Sequence, residues 1–128
     1  MRPVETLEAP APAGHYAQGI VHGGLVYVAG QLPIDPADPG APHGDVEAQT
    51  ERALRNVQAI LRAAGSDLDH LLSVTVYVTD LALWPRVNAA YAGVLGAHRP
   101  ARAVVPVPAL HHGYLVEIQA VAAIRDQA

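Results

Sequence analysis

The sequence contains no cysteine. That removes disulfide frameworks, thiolate zinc sites, iron–sulfur ligation and cysteine nucleophiles together. Charge is also scarce: charged residues make up 16% of the 128, against 51% apolar, which excludes a disordered polyelectrolyte. The formal net charge of −4 argues against a protein that tracks nucleic-acid phosphates. No run reaches the roughly 18 apolar residues that a membrane helix needs. The first residues, Met1-Arg2-Pro3-Val4-Glu5, carry proline and an acid where a signal peptide has an apolar stretch. The expectation is one soluble, cytoplasmic domain over residues 1–128, with neither membrane nor nucleic acid as partner.

Several chemical motifs are missing as well. Gly14, Gly19, Gly23 and Gly24 form neither a phosphate-binding loop nor a dinucleotide fingerprint. No G-x-S-x-G elbow presents a nucleophilic serine. Seven histidines invite a metal, but none has H-E-x-x-H spacing, and His111-His112 falls in a turn with no carboxylate beside it in sequence. No metal site is expected. There is no internal repeat, and the one biased segment, Ala9-Pro10-Ala11-Pro12-Ala13, reads as an extended arm.

What is present has clear periodicity. Tyr16–Val21 and Leu25–Ala29 flank His22-Gly23-Gly24 and predict a hairpin. Leu32–Gly44, rich in proline, is loop. Asp45 can cap a helix that runs through Val46, Ala53, Val57, Ile60, Leu61 and Ala64 to a stop at Gly65. Leu72–Thr79 alternates with period two and predicts a strand. Trp84, Val87, Tyr91, Val94 and Leu95 predict a second helix, with Pro85 confined to its first turn. Arg102–Val107 and Tyr114–Ile124 are two further strand-like runs, and Pro106 places the first of them at an edge or bulge. The order β-β-α-β-α-β-β predicts an α+β fold, a sheet with two helices packed on one face. If the last two runs form a hairpin turning at Leu110–His111, Val104 lies opposite Glu117 and Arg102 opposite Gln119.

Two charged residues stand in apolar company. Arg102, among Ala101, Ala103, Val104 and Val105, needs an anion: either an internal salt bridge, for instance to Glu117, or the carboxylate of a ligand held bidentately. Glu117, within Leu115-Val116-Glu117-Ile118, is either a solvated residue of an alternating strand or a carboxylate whose partial desolvation suits it to hold and deprotonate water. Tyr16 and Asn88 carry no distinct signal by themselves.

Other stretches add a resemblance. Gly14-His15-Tyr16-Ala17-Gln18-Gly19, Val28-Ala29-Gly30-Gln31-Leu32-Pro33, Asn56-Val57-Gln58-Ala59-Ile60-Leu61, Val74-Thr75-Val76-Tyr77-Val78, Val87-Asn88-Ala89-Ala90-Tyr91, Pro100-Ala101-Arg102 and Val116-Glu117-Ile118 are similar to the reactive intermediate deaminase (RidA/YjgF) family, over nearly the whole length. The resemblance implies a chorismate-mutase-like fold, a homotrimer with ligand clefts between subunits, and cofactor-free hydrolysis of 2-imino or 2-enamino acids to 2-oxo acids and ammonia. It implies that Arg102 clamps the substrate carboxylate and that Glu117, with the backbone carbonyl of Val104, holds the attacking water. Tyr16 then walls the cleft, Gly30 allows close backbone approach, and Asn88 supports the site. The chain departs from the family pattern at Val104, where cysteine is common, and at His15, Ala29 and Arg99. These departures bear on substrate preference more than on fold. A module that only binds small carboxylates, or an enzyme for a larger imine, are the alternatives; a ribonuclease fits poorly with the acidic charge.

Overall fold

A computed structural model describes residues 1–125. Asp45 starts the longer helix, α1 (Val46–Ala63): its carboxylate accepts from the Ala48 N–H at 2.8 Å, and Glu47 lies in the first turn. The apolar stripe of α1, with Val46, Ala53, Leu54, Val57, Ile60 and Leu61, is fully buried. Helix α2 (Trp84–Leu95) carries Pro85 in its first turn, as expected, and buries Val87 and Tyr91. A bidentate contact from Arg86 to Glu47 ties the two helices together at the surface.

Six strands form one sheet. They are β1 (Arg2–Val4), β2 (Gly19–His22), β3 (Leu25–Gln31), β4 (Leu71–Val78), β5 (Ala101–Pro106) and β6 (Val116–Ala123). Their spatial order is β1-β2-β3-β6-β4-β5, antiparallel throughout except for the parallel pair β4–β5. The alternation in β4 decides its faces: Val74, Val76 and Val78 are buried under the helices, while Thr75 and Tyr77 lie on the face without helices. Val26, Val28, Ile118, Ala120 and Ala122 complete the same core. β2 and β3 form the expected hairpin, with Gly23 and Gly24 both at positive φ, 59° and 80°, as its tight turn requires.

Two expectations fail. The last two strands do not pair as a hairpin. β4 lies between them, so Arg102 sits opposite Val74, Val104 opposite Val76, Glu117 opposite Tyr77, and Gln119 opposite Thr75. The reason is the crossover: β4 runs into α2 and α2 into β5, which returns β5 parallel to β4. The connection after β5 then carries the chain past β4 to its other side. Pro106 is at an edge, as its missing N–H required. The second failure is at the amino-terminal arm. Residues Arg2–Val4 form a strand on β2, burying Val4 (2% exposed), and Tyr16 lies in bends ahead of β2 rather than in a strand.

Candidate active site

Glu117 projects from β6 on the sheet face that lacks helices, into a cavity of about 610 Å³. Tyr16, Gly30, Leu32, His111 and His112 line the same cavity. Each wall has a local cause. The arm carrying Tyr16 is held by Gln18, buried at 4% exposure, whose amide donates to the carbonyls of Thr6, Ala9 and Pro10 and accepts from the Thr6 N–H at 2.8 Å. The Tyr16 hydroxyl turns back to accept from the Ala13 N–H. Loop 32–44 is held by Asn56, which donates to the carbonyls of Leu32 and Ile34.

Gly30 sits at a bulge in β3, where the register to β6 shifts between Val28 and Gln31. A Cβ added there would stand 2.5 Å from Glu117 Oε1 and 3.1 Å from its Cδ. The missing side chain is therefore what makes room for the Glu117 carboxylate. Burial pushes the Glu117 carboxyl above the usual carboxylate range, opposed in part by the charge of His111. A half-desolvated carboxylate of this kind is a better proton acceptor than one in water.

Arg102 is elsewhere. It lies on the edge strand β5 and shares the helix face with Val74 and Val76. Its guanidinium stacks over Trp84 and Tyr91 of α2, 4.6 and 4.8 Å from the ring centroids, and Nη1 donates to Asn88 Oδ1 at 2.9 Å. Among the described residues no carboxylate pairs with it. Burial pushes the Tyr91 phenol up, and the Arg102 charge beside it opposes that shift. Val104, two residues on, is half-buried against the core. The structure thus brings Tyr16 and Gly30 to Glu117, and Asn88 to Arg102, but leaves the two groups apart. From sheet geometry, two inter-strand spacings, across β4, and three residues along the strands separate Arg102 and Glu117, on the order of 14 Å between backbones and on opposite faces.

A model of the family described as Endoribonuclease L-PSP matches residues 6–124. The chain belongs to the YjgF/RidA family. It is 40% identical over 125 residues to a 2-iminobutanoate/2-iminopropanoate deaminase of Salmonella typhimurium, covering 95% of this chain and 97% of that protein. A RutC family protein of Pyrococcus horikoshii is 42% identical over 117 residues, 91% of this chain and 93% of that one. Among solved structures, Escherichia coli TdcF with bound serine superposes with a TM-score of 0.92 at 34% identity, covering 98% of this chain and 100% of that chain.

In this YjgF/RidA chain some supporting residues gave little warning in the sequence. Gln18 and Asn56 lie within matching stretches, yet only the fold reveals that they fasten the arm and the loop. Gln49 does similar work, accepting from the Leu115 N–H at 2.9 Å and donating to the Gly44 carbonyl. His111 and His112, read as plain turn residues, line the cavity. Among the described residues no cluster of three or more His, Asp or Glu could hold a metal, and no helix is long and apolar enough to cross a membrane.

Proposed function

We propose that the protein hydrolyses 2-imino and 2-enamino acids, such as 2-iminobutanoate and 2-aminoacrylate, to 2-oxo acids and ammonia without a cofactor. The observation that carries this reading is the Glu117 carboxylate, half-desolvated against Gly30 in a cavity open to a ligand. Arg102 supports it from the other side: Asn88 accepts from one of its donors, and among the described residues no carboxylate occupies the rest of the planar fork, which suits it to a substrate carboxylate. Because one chain sets these groups on opposite faces of its sheet, the reading requires a cleft assembled from two subunits, Arg102 of one and Glu117 of the next. We take the assembly to be a homotrimer of such single domains in the cytoplasm. Its support is a sheet face with no helices and an edge strand, β5, whose outer carbonyls have no partner in the sheet.

The reaction follows from these positions. Arg102 fixes the substrate carboxylate and Tyr16 walls the cleft. Glu117 and the Val104 carbonyl hold a water against C2, and as its oxygen bonds to carbon, Glu117 takes a proton while the C=N electron pair moves to nitrogen. The nitrogen takes up a proton from solvent to give the carbinolamine. As this collapses to the 2-oxo acid it loses its hydroxyl proton to solvent and the nitrogen receives the proton held by Glu117, so that ammonia leaves with the C–N pair and Glu117 is again ionised. The 2-iminobutanoate/2-iminopropanoate deaminase of Salmonella typhimurium, 40% identical to this chain, supports this reading.

The bound serine of Escherichia coli TdcF favours a second reading, a module that binds small carboxylates through Arg102 and leaves Glu117 idle. Ammonia release from an imino acid generated in situ, set beside calorimetric binding of 2-oxobutanoate, separates the two. Wild type that binds the oxo acid but releases no more ammonia than buffer discards the enzyme. For the enzyme, Glu117→Gln lowers kcat by about 10²–10⁴-fold and leaves oxo-acid affinity nearly unchanged.

A further inference from the structure

We propose that His111 is a second proton-transfer residue of this site, exchanging protons with the substrate nitrogen and hydroxyl while Glu117 acts on the water. The proposal rests on the deaminase reading above. Three features of the turn between β5 and β6 support it. First, His111 and His112 line the cavity that holds Glu117. Second, the backbone there is unusual: His112 has φ 62°, alone among the described non-glycine residues in being left-handed, and Gly113 follows at φ 75°. A non-glycine residue is strained in that region, and such outliers collect where geometry serves a site. Third, the strained turn is braced from behind. Tyr114 is buried, His43 stacks on its ring at 3.9 Å, and the His112 ring meets it edge-on at 6.4 Å.

Glu117 on β6 and Tyr16 on the arm line the cavity with His111, the His112 ring lies beside it with centroids 6.1 Å apart, and Tyr114 and His43 pack behind His112. Glu117 is the single carboxylate among the residues lining the cavity, and the hydrolysis moves protons at three atoms. An imidazole donates at one nitrogen and accepts at the other, which suits it to the remaining transfers. In the addition step Glu117 takes a proton from water and His111 gives one to the imine nitrogen. In the collapse Glu117 passes its proton to the departing nitrogen, and His111 takes the hydroxyl proton as the C2=O bond forms. Both groups end as they began, and ammonia carries away the equivalent of both water protons. The cycle needs Glu117 ionised and His111 protonated at its start. The charge of His111 already acts on Glu117, pulling down a carboxyl that burial pushes up.

The test is kcat against pH on 2-iminobutanoate for wild type, His111→Gln and His111→Lys, with 2-oxobutanoate binding measured alongside. We expect wild-type kcat to fall on the alkaline side as the imidazolium is lost. His111→Gln should lose about 10²-fold in kcat and that alkaline limb, but keep the acidic limb set by Glu117. Its affinity for 2-oxobutanoate should stay within about twofold, since Arg102 supplies that contact. His111→Lys should recover part of the rate and move the alkaline limb upward, which a structural role in the turn does not do. If His111→Gln keeps the wild-type rate and profile, the role of His111 is overturned while the deaminase stands. If wild type itself releases no ammonia, both fall.

Discussion

Glu117 stands in a concavity whose walls come from four stretches of chain, whereas Arg102 stands on an edge strand braced by a single helix. The acid is enclosed by the arm, the β3 bulge, loop 32–44 and the turn at 111–113; Gln18 pins the arm, Asn56 the loop and the His43–Tyr114 stack the turn. The cation is held by two aromatic faces and one amide, and among the described residues no carboxylate pairs with it. The contrast follows from what each group must do in the proposed reaction. A carboxylate that accepts a proton gains from desolvation and fixed placement, so it needs many walls. A guanidinium that receives a carboxylate needs free, correctly angled donors, so it needs support from one side only.

The strongest way to break that comparison is to separate the two regions genetically. Arg102→Ala and Glu117→Gln should each reduce deamination by about 10²–10⁴-fold. Unfolded together in equal amounts and refolded, the two inactive variants should regain about a quarter of the wild-type rate, because one cleft arrangement in four pairs an intact arginine with an intact glutamate from its neighbour. No recovery in that mixture, or a stable monomer by light scattering, removes the shared cleft.

Gly30→Ala tests the enclosed half alone. Its Cβ has no space beside the Glu117 carboxylate, so the carboxylate must shift, and kcat should drop by about 10²-fold. Oxo-acid binding through Arg102 should survive, and a calorimetric titration shows whether it does.

A smaller effect compares the supports of the two halves. Gln18→Ala strips partners from the carbonyls of Thr6, Ala9 and Pro10 and should cost about 1–3 kcal/mol in urea denaturation. Asn88→Ala, on an exposed surface, should stay within about 0.5 kcal/mol. Equal losses would mean that the two halves are braced alike.

The smallest expected effect is a gain. Glu117 has its carboxyl raised in the folded chain by burial, so the folded state binds its proton more readily than the unfolded one. That stabilises the fold at low pH, and the benefit is lost as pH rises through the folded value. Glu117→Gln should therefore melt slightly higher than wild type at neutral pH, with the difference vanishing in acid. A lower melting temperature at neutral pH would indicate that Glu117 is a structural group.

Elements governed by neighbours in sequence were legible before the structure. Asp45 opens α1, Gly23-Gly24 turns the first hairpin, and Pro106 marks an edge, because each acts within a few residues of itself. The pairing of β5 was not legible. Whether a strand lands beside the one after it or the one before it depends on how the intervening chain crosses the sheet, and Arg102–Val107 reads the same either way. The site followed that division. Arg102 and Glu117 stood out as charges in apolar strands, but their placement on opposite faces followed from the crossover. The amides of Gln18, Gln49 and Asn56 gave no pattern, since a buried glutamine looks like an exposed one until its partners are known.

Among the described strands, β6 alone links two pieces of sheet, β1-β2-β3 on one side and β4-β5 on the other. Until residues 116–123 are available, the two pieces cannot be joined through the sheet, since β3 and β4 each pair with β6 and not with each other. During synthesis the chain therefore emerges as two incomplete fragments, each with an exposed strand edge. Folding waits for one late segment whose pairs with β3 lie 87 to 98 residues apart in the chain, the long-range closure that slows a fold and lengthens the time its edges are open to wrong partners.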